Sequence, residues 1–324
     1  MSLKPTLVTI CYGMNDGRQP VEKFRAAMNG IVGELKAAGV RVALLTPGCV
    51  DPEHDKYGWL SKDPGTYNAT LSRFAQEVLA LGQRENVPVF NLHERMLEVQ
   101  TRAKRDQPQF TMIPDGIHPD PPGHAIMTYG LLKALGAADA AASLSIDAAS
   151  GKVTTGQCTI EHLKVSDQTI AFDRTDRALP TAFFSDVTPV LPYLSLVEEF
   201  NQYRFQVTGL KAPSWKLVVN GITTGTFSNA ALATGVNLAM LPGPWRELAR
   251  RVNDTVVNEQ DAFFRRWVFL SHYPAPPELK PGLESLIATA DRHVDRLQEE
   301  RFRLVASPTT RTWTWTLTAV RPDH

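Results

Sequence analysis

Apolar positions along the first 136 residues switch repeatedly between two periods. Residues 7–11, Leu-Val-Thr-Ile-Cys, make a short apolar run with β-branched side chains, as in a strand buried in a parallel sheet. Val21, Phe24, Met28, Ile31 and Leu35 then share one helical face, and Gly39 stands where a helix C-terminal glycine belongs. Residues 40–45 read as the next strand. After a polar loop, Tyr67, Leu71, Phe74, Val78 and Leu81 mark a second amphipathic helix, with Thr66 as its expected N-cap. Residues 88–92 read as a third strand, followed by a helix to about Lys104. Another helix opens near Gly123 and ends at Gly136. Strands alternating with helices predict a parallel sheet with helices on its faces.

The pattern then shortens. Residues 137–150 are Ala-rich and read as a connector. From about residue 150 to 225 the signals are β-like, with strands expected at 203–207 and 215–219. Asn220-Gly221 is a two-residue hairpin signal. Residues 244–271 and 283–304 carry helical apolar stripes, the second through Leu283, Ile287, Ala290, Val294 and Leu297. Trp313, Trp315 and Leu317 alternate with threonines, as in a closing strand. The expected division is therefore a first domain over 1–136, a connector over 137–150, and an α+β region over 151–324.

Composition narrows the partners. Thirty-four basic and 34 acidic residues cancel. No basic cluster fit to hold a phosphate backbone stands out, which argues against nucleic acid. The longest apolar runs are too short for a membrane span. No signal peptide is visible, and the compartment stays unassigned. The three cysteines, Cys11, Cys49 and Cys158, are widely separated, which argues against a disulfide framework and a structural zinc site.

The candidate chemistry is concentrated in residues 115–124, Asp-Gly-Ile-His-Pro-Asp-Pro-Pro-Gly-His, and in residues 13–16, Gly-Met-Asn-Asp. Asp115 precedes His118 by three residues in a Pro/Gly-rich loop before a helix. A carboxylate beside an imidazole fixes its tautomer and stabilises its protonated form. The same residues, with Asp120, His124, His54 and Asp55, also suit a metal, and His118 alone could simply hold a turn. These readings stay open on the residues alone. Asn15, at the end of a strand, is placed to donate its amide to an oxyanion, although Gly13 and Asn15 also suit an ordinary turn.

Together the two segments resemble the SGNH (GDSL-type) hydrolase family, through Gly13, Asn15 and Asp16 and then Asp115, His118 and Pro119. The resemblance covers roughly residues 5–136. It implies a flavodoxin-like three-layer α/β sandwich, followed here by the smaller α+β region. It also implies a serine ester hydrolase with His118 as base, Asp115 as its orienter and Asn15 as oxyanion donor, needing no metal or organic cofactor. The substrate it suggests is a carboxylic ester on a small or carbohydrate scaffold, such as an acetylated sugar.

The family's Gly-Asp-Ser nucleophile block and its glycine block have no counterpart here, so the sheet is expected to lack its first two strands. Ser61, Ser72 and Ser185 sit in polar loops or on helices, and Cys11 inside a strand. The expectation is a shortened version of a longer protein, with an opening Met-Ser-Leu that could be vector-derived and little activity of its own. It has an exposed sheet edge through which copies could associate, unless a C-terminal strand covers it. Asn237 and Trp245, in a turn-rich block, are weak substrate-contact candidates, with a packing corner the favoured reading. Two alternatives remain: a carbohydrate-binding module without catalysis, and a metal-dependent hydrolase using Asp115, His118, Asp120 and His54.

Overall fold

The computed structural model describes residues 4–60, 64–137, 142–181, 183, 186–271, 274–306 and 311–320. Two compact units result, Met1–Ala138 with Phe183–Glu199, and Asp139–Ala182 with Phe200–His324. The protein is a mixed α/β molecule, with a parallel sheet and its helices in the first unit.

That unit runs β1 (Leu7–Ile10), α1 (Val21–Ala37), β2 (Arg41–Leu45), α2 (Pro64–Glu85), β3 (Val89–Phe90), α3 (Leu92–Asp106) and α4 (Pro121–Ala134). The sheet order is β1-β2-β3, all parallel, with Val8 beside Val42 and Leu45 beside Phe90. Val42 and Leu44 join Ile10, Phe24, Met28, Leu71 and Phe74 in one core. The alternate residues Ala43 and Leu45 are buried too, because α4 covers β2 from the other direction. Gly39, just past the end of α1, has φ +72°, the left-handed turn its position predicts.

Two boundaries differ from the sequence reading. α2 begins at Pro64, so Thr66 lies in its first turn and is not its cap. The third strand keeps only two residues, because the Asn91 side chain accepts the Glu94 N–H and starts α3.

The second unit contains β4 (Ala142–Asp147), β5 (Val153–Gly156), β6 (Cys158–Val165), β7 (Thr169–Asp176), α5 (Leu196–Phe200, whose last residue alone belongs to it), β8 (Tyr203–Thr208), β9 (Ser214–Val219) and β10 (Ile222–Ser228). It continues with α6 (Asn229–Thr234), β11 (Val236–Asn237), α7 (Pro244–Arg265), α8 (Lys280–Ala306) and β12 (Thr312–Ala319). Its strands pair among themselves, in sheets ordered β10-β9-β12-β7-β6 and β11-β8-β4-β5. None of the described C-terminal strands joins the edge at β1. Residues 142–147, expected in a connector, are a strand because Ala142, Leu144 and Ile146 alternate inward against β8. Asn220-Gly221 turns β9 into β10 with both residues at positive φ, as a two-residue hairpin needs. Trp313, Trp315 and Leu317 all point into the core, where Trp315 stacks on Phe172 and Trp245. Among the described residues no helix is long and apolar enough to cross a membrane.

Candidate active site

Asp115 organises its own turn. Its Oδ1 accepts the backbone N–H groups of Ile117 (3.0 Å) and His118 (2.8 Å), and its Oδ2 lies 2.7 Å from His118 Nδ1. The His118 backbone N–H, then its imidazole, with the Ile117 N–H, hold the Asp115 carboxyl down at about 2. The carboxylate is therefore ionised near neutral pH and can only accept. That makes Nδ1 of a neutral His118 the protonated nitrogen and leaves Nε2 with its lone pair. The imidazole is two-thirds exposed, so Nε2 is open to a substrate.

Gly116 makes the turn possible. Its φ is +89°, and a Cβ there would lie 2.9 Å from the Asp55 Cα. The close approach lets the Asp51 N–H bond the Gly116 carbonyl (2.9 Å) and the Lys56 N–H bond that of Asp115 (3.3 Å).

The segment this turn leans on, residues 51–60, follows β2. Asp51 anchors it from below, with its side chain 1% exposed. Its carboxylate accepts from Lys104 Nζ (3.0 Å) and Thr111 Oγ1 (2.8 Å) and lies 2.9 Å from His54 Nδ1. Burial pushes the Asp51 carboxyl up, but the hydrogen bonds from Thr111 and Lys104 and the charge of Lys104 outweigh it, so the group sits below its ordinary value. Asp55 caps the far end, accepting the N–H groups of Trp59 (2.9 Å) and Leu60 (3.1 Å).

Asn15 lies in a short 3-10 turn, Met14–Asp16, after β1. Gly13, at φ +119°, starts it, and the Asp16 N–H closes it onto the Gly13 carbonyl (3.1 Å). The Tyr67 hydroxyl clamps it from α2 by donating to the Met14 carbonyl (2.6 Å). The Asn15 side chain is exposed and makes no hydrogen bond to another described residue, so its amide is a free donor. Arg18, just after the turn, donates to the Trp59 carbonyl (3.2 Å). Trp59 in turn sets its ring edge-on to His118, centroids 5.9 Å apart at 88°.

Residues 51–60 thus bond both the Asp115 turn and Arg18, three residues after Asn15. Asn237 and Trp245 lie in the second unit. Asn237 is spent on the corner, its Oδ1 accepting the N–H groups of Tyr203 and Ala239 and its Nδ2 donating to the Asn201 carbonyl. Trp245 is sealed in the core. The packing corner replaces the substrate-contact reading of both.

The residues of the metal-dependent alternative are engaged separately. His54 is tied to Asp51, Asp55 caps the loop, and Asp120 caps α4 through the Gly123 N–H. Among the described residues no three such groups gather. His124 lies exposed in the first turn of α4 and does not cap it, because Asp120 already does.

No described serine or cysteine bonds His118. Ser72 lines a cleft of about 760 Å³ between α2 and α3, among residues that include none of this site. Ser61 and Ser185 lie outside the described residues. Burial raises the Cys11 thiol to about 11 and that of Cys49 to about 12, so neither is a thiolate near neutral pH. Sequence reasoning missed Asp51, Tyr57 and Trp59. The available signal was Tyr-Gly-Trp at 57–59, two large aromatics in an otherwise polar loop.

Comparison with known proteins finds one family model and several solved structures similar to this chain. The model of the GDSL-like Lipase/Acylhydrolase family matches residues 2–126, the stretch that holds both turns. Those residues are similar to that family over a little more than a third of the chain. The fold is similar to that of a solved structure described as BT4096, a gut microbial diltiazem-metabolizing enzyme, with a TM-score of 0.76 and 19% identity. That match covers 98% of this chain and 85% of the other. A catalytic mutant of Axe2, an acetylxylan esterase from Geobacillus stearothermophilus, aligns at 20% identity and a TM-score of 0.32, over 42% of this chain and 61% of its own. No curated protein matches.

Proposed function

We propose that the first unit performs serine-type hydrolysis of carboxylic esters, with acetylated carbohydrate as the favoured substrate class. The observation that carries this reading is the Asp115–His118 pair, a carboxylate 2.7 Å from Nδ1 with Nε2 open. In the proposed reaction a serine hydroxyl attacks the ester carbonyl while His118 Nε2 takes its proton. Asp115 stabilises the imidazolium that forms. The carbonyl oxygen, now an oxyanion, takes a hydrogen bond from the Asn15 amide. Collapse expels the alcohol, which leaves with the proton from His118, and water then releases the acid by the same route in reverse.

The serine has no counterpart among the 324 residues in the Gly-Asp-Ser setting such a nucleophile needs. The chain therefore supplies base, orienter and oxyanion donor, and on its own it hydrolyses esters weakly. Hydrolases that lack a triad member retain about 1,000- to 10,000-fold acceleration over water.

Intact mass after incubation with a fluorophosphonate, beside an acetyl-ester assay on the same sample, tests this. No adduct and only residual turnover is the expected result. A single adduct with full turnover means that a serine within the chain is the nucleophile, and the statement of weak activity falls. The missing serine also favours a second reading, a sugar-binding module. Binding of acetylated sugars with no turnover above the His118→Ala variant would establish it in place of the first.

A further inference from the structure

Residues 51–60 do more than brace the Asp115 turn. Within them Tyr57 and Trp59 stack on each other, ring centroids 4.4 Å apart and inclined by 28°. Gly58 between them, at φ +66°, reverses the chain so that both rings lie together. Both stay open to solvent, at 52% and 44% exposure. Trp59 is not loosely held. The Asp55 carboxylate fixes the Trp59 N–H, Arg18 holds its carbonyl, and the next residue, Leu60, is buried. An ordered pair of large rings left in water beside an oriented base marks a place where a ligand covers them. Trp59 is moreover the only tryptophan in residues 1–199.

The chemistry says which part of a substrate meets this pair. In ester hydrolysis the leaving oxygen must come within hydrogen-bond reach of the protonated base. The alcohol part therefore lies on the His118 side, and the carbonyl oxygen lies toward the oxyanion donor. The ring edge-on to His118 is that of Trp59. We propose that Tyr57 and Trp59 form the alcohol-side subsite, and that the alcohol carries a six-membered ring one face of which stacks on them. The C–H face of a pyranose and the π face of an aryl group share this chemistry. The proposal rests on the esterase reading above and deepens it.

The test uses binding, so it does not depend on turnover. Amide counterparts of acetate esters serve as probes: acetanilide, methyl 2-acetamido-2-deoxy-β-D-glucopyranoside and, without a ring, N-ethylacetamide. Each is titrated while the Trp59 indole N–H and the His118 imidazole are followed by NMR. At least one ring probe should bind about 10-fold more tightly than N-ethylacetamide. It should shift both signals in one titration, and which probe does so separates sugar from aryl. The Tyr57→Ala/Trp59→Ala double variant should erase the advantage, with the other tryptophan signals unmoved. Trp59→Phe, which keeps a flat ring and the loop, should retain most of it.

Equal binding of all three probes, or an advantage that survives the double variant, overturns the subsite. Failure of the underlying reading looks different. Phenyl acetate turnover that the double variant leaves unchanged keeps the esterase and removes the subsite. Ring-dependent binding with no acetyl-ester turnover above the His118→Ala variant keeps the aromatic surface and removes the esterase.

Discussion

Asp115 spends both carboxylate oxygens within its own turn, and this has a measurable signature. Its pKa falls from an ordinary value of about 3.9 to about 2 in the folded protein. A group with a depressed folded pKa stabilises only while ionised. Its contribution is complete above about pH 4 and is lost as the pH drops through about 2. Urea midpoints of the wild type and Asp115→Asn should therefore differ at pH 6 and converge by pH 2. Asparagine can also donate to Nδ1, which pushes the proton of neutral His118 to Nε2, the wrong nitrogen for a base. Nitrogen-15 shifts of His118 should report that exchange. In an active form of the protein the same substitution should cost about 10,000-fold in kcat. The closeness of Asp115 and His118 was legible from their spacing, because the turn that joins them is local, whereas their role was not. Tyr57 and Trp59 were not, because their closeness to His118 depends on the fold and leaves no periodic trace.

At the scale of elements, the loop after β2 depends on two devices, one ionic and one steric. Asp51 is buried and accepts from half-buried Lys104 and from Thr111, so removing it takes two hydrogen bonds from the loop, although Lys104 keeps Glu53 as a partner. Asp51→Ala should lower the unfolding free energy by about 1–3 kcal/mol in urea titrations. Gly116 is steric: alanine there meets both a positive φ and the Asp55 backbone. Gly116→Ala should cost at least about 1–3 kcal/mol and should broaden or move the Trp59 indole signal, because the loop loses its seat. The strands and helices of the first 136 residues were readable because burial follows their periods. The loop was not: its conformation is set by Asp51, Asp55 and Gly116 meeting partners from α3, from the segment after it and from one another. The strand at Ala142–Asp147 escaped for a related reason. Its alanine and two serines are poor strand formers, and only pairing with β4's neighbours β5 and β8 makes this segment a strand.

Among the described residues each unit has a core of its own. That of the second unit gathers around Trp315, which touches Phe172, Tyr203, Phe205 and Trp245 and lies against the buried Arg174 guanidinium. Trp315→Ala should cost about 3–5 kcal/mol of that unit's stability, seen as an earlier loss of near-ultraviolet circular dichroism. The alternation of Trp313, Trp315 and Leu317 forecast this inward face, whereas the sheet order that joins β12 to β7 and β9 could not be read from any local pattern. In the first unit, the bonds of residues 51–60 to both the Gly116 turn and Arg18 carry a mechanical meaning. Two turns hung independently on a sheet would drift against each other. Two turns yoked to one crossbar move together, so thermal motion is channelled into a shared sway. The spacing between the Asn15 and His118 turns is the motion such a yoke damps, and in the proposed reaction an error of about 1 Å there can cost about 100-fold in rate.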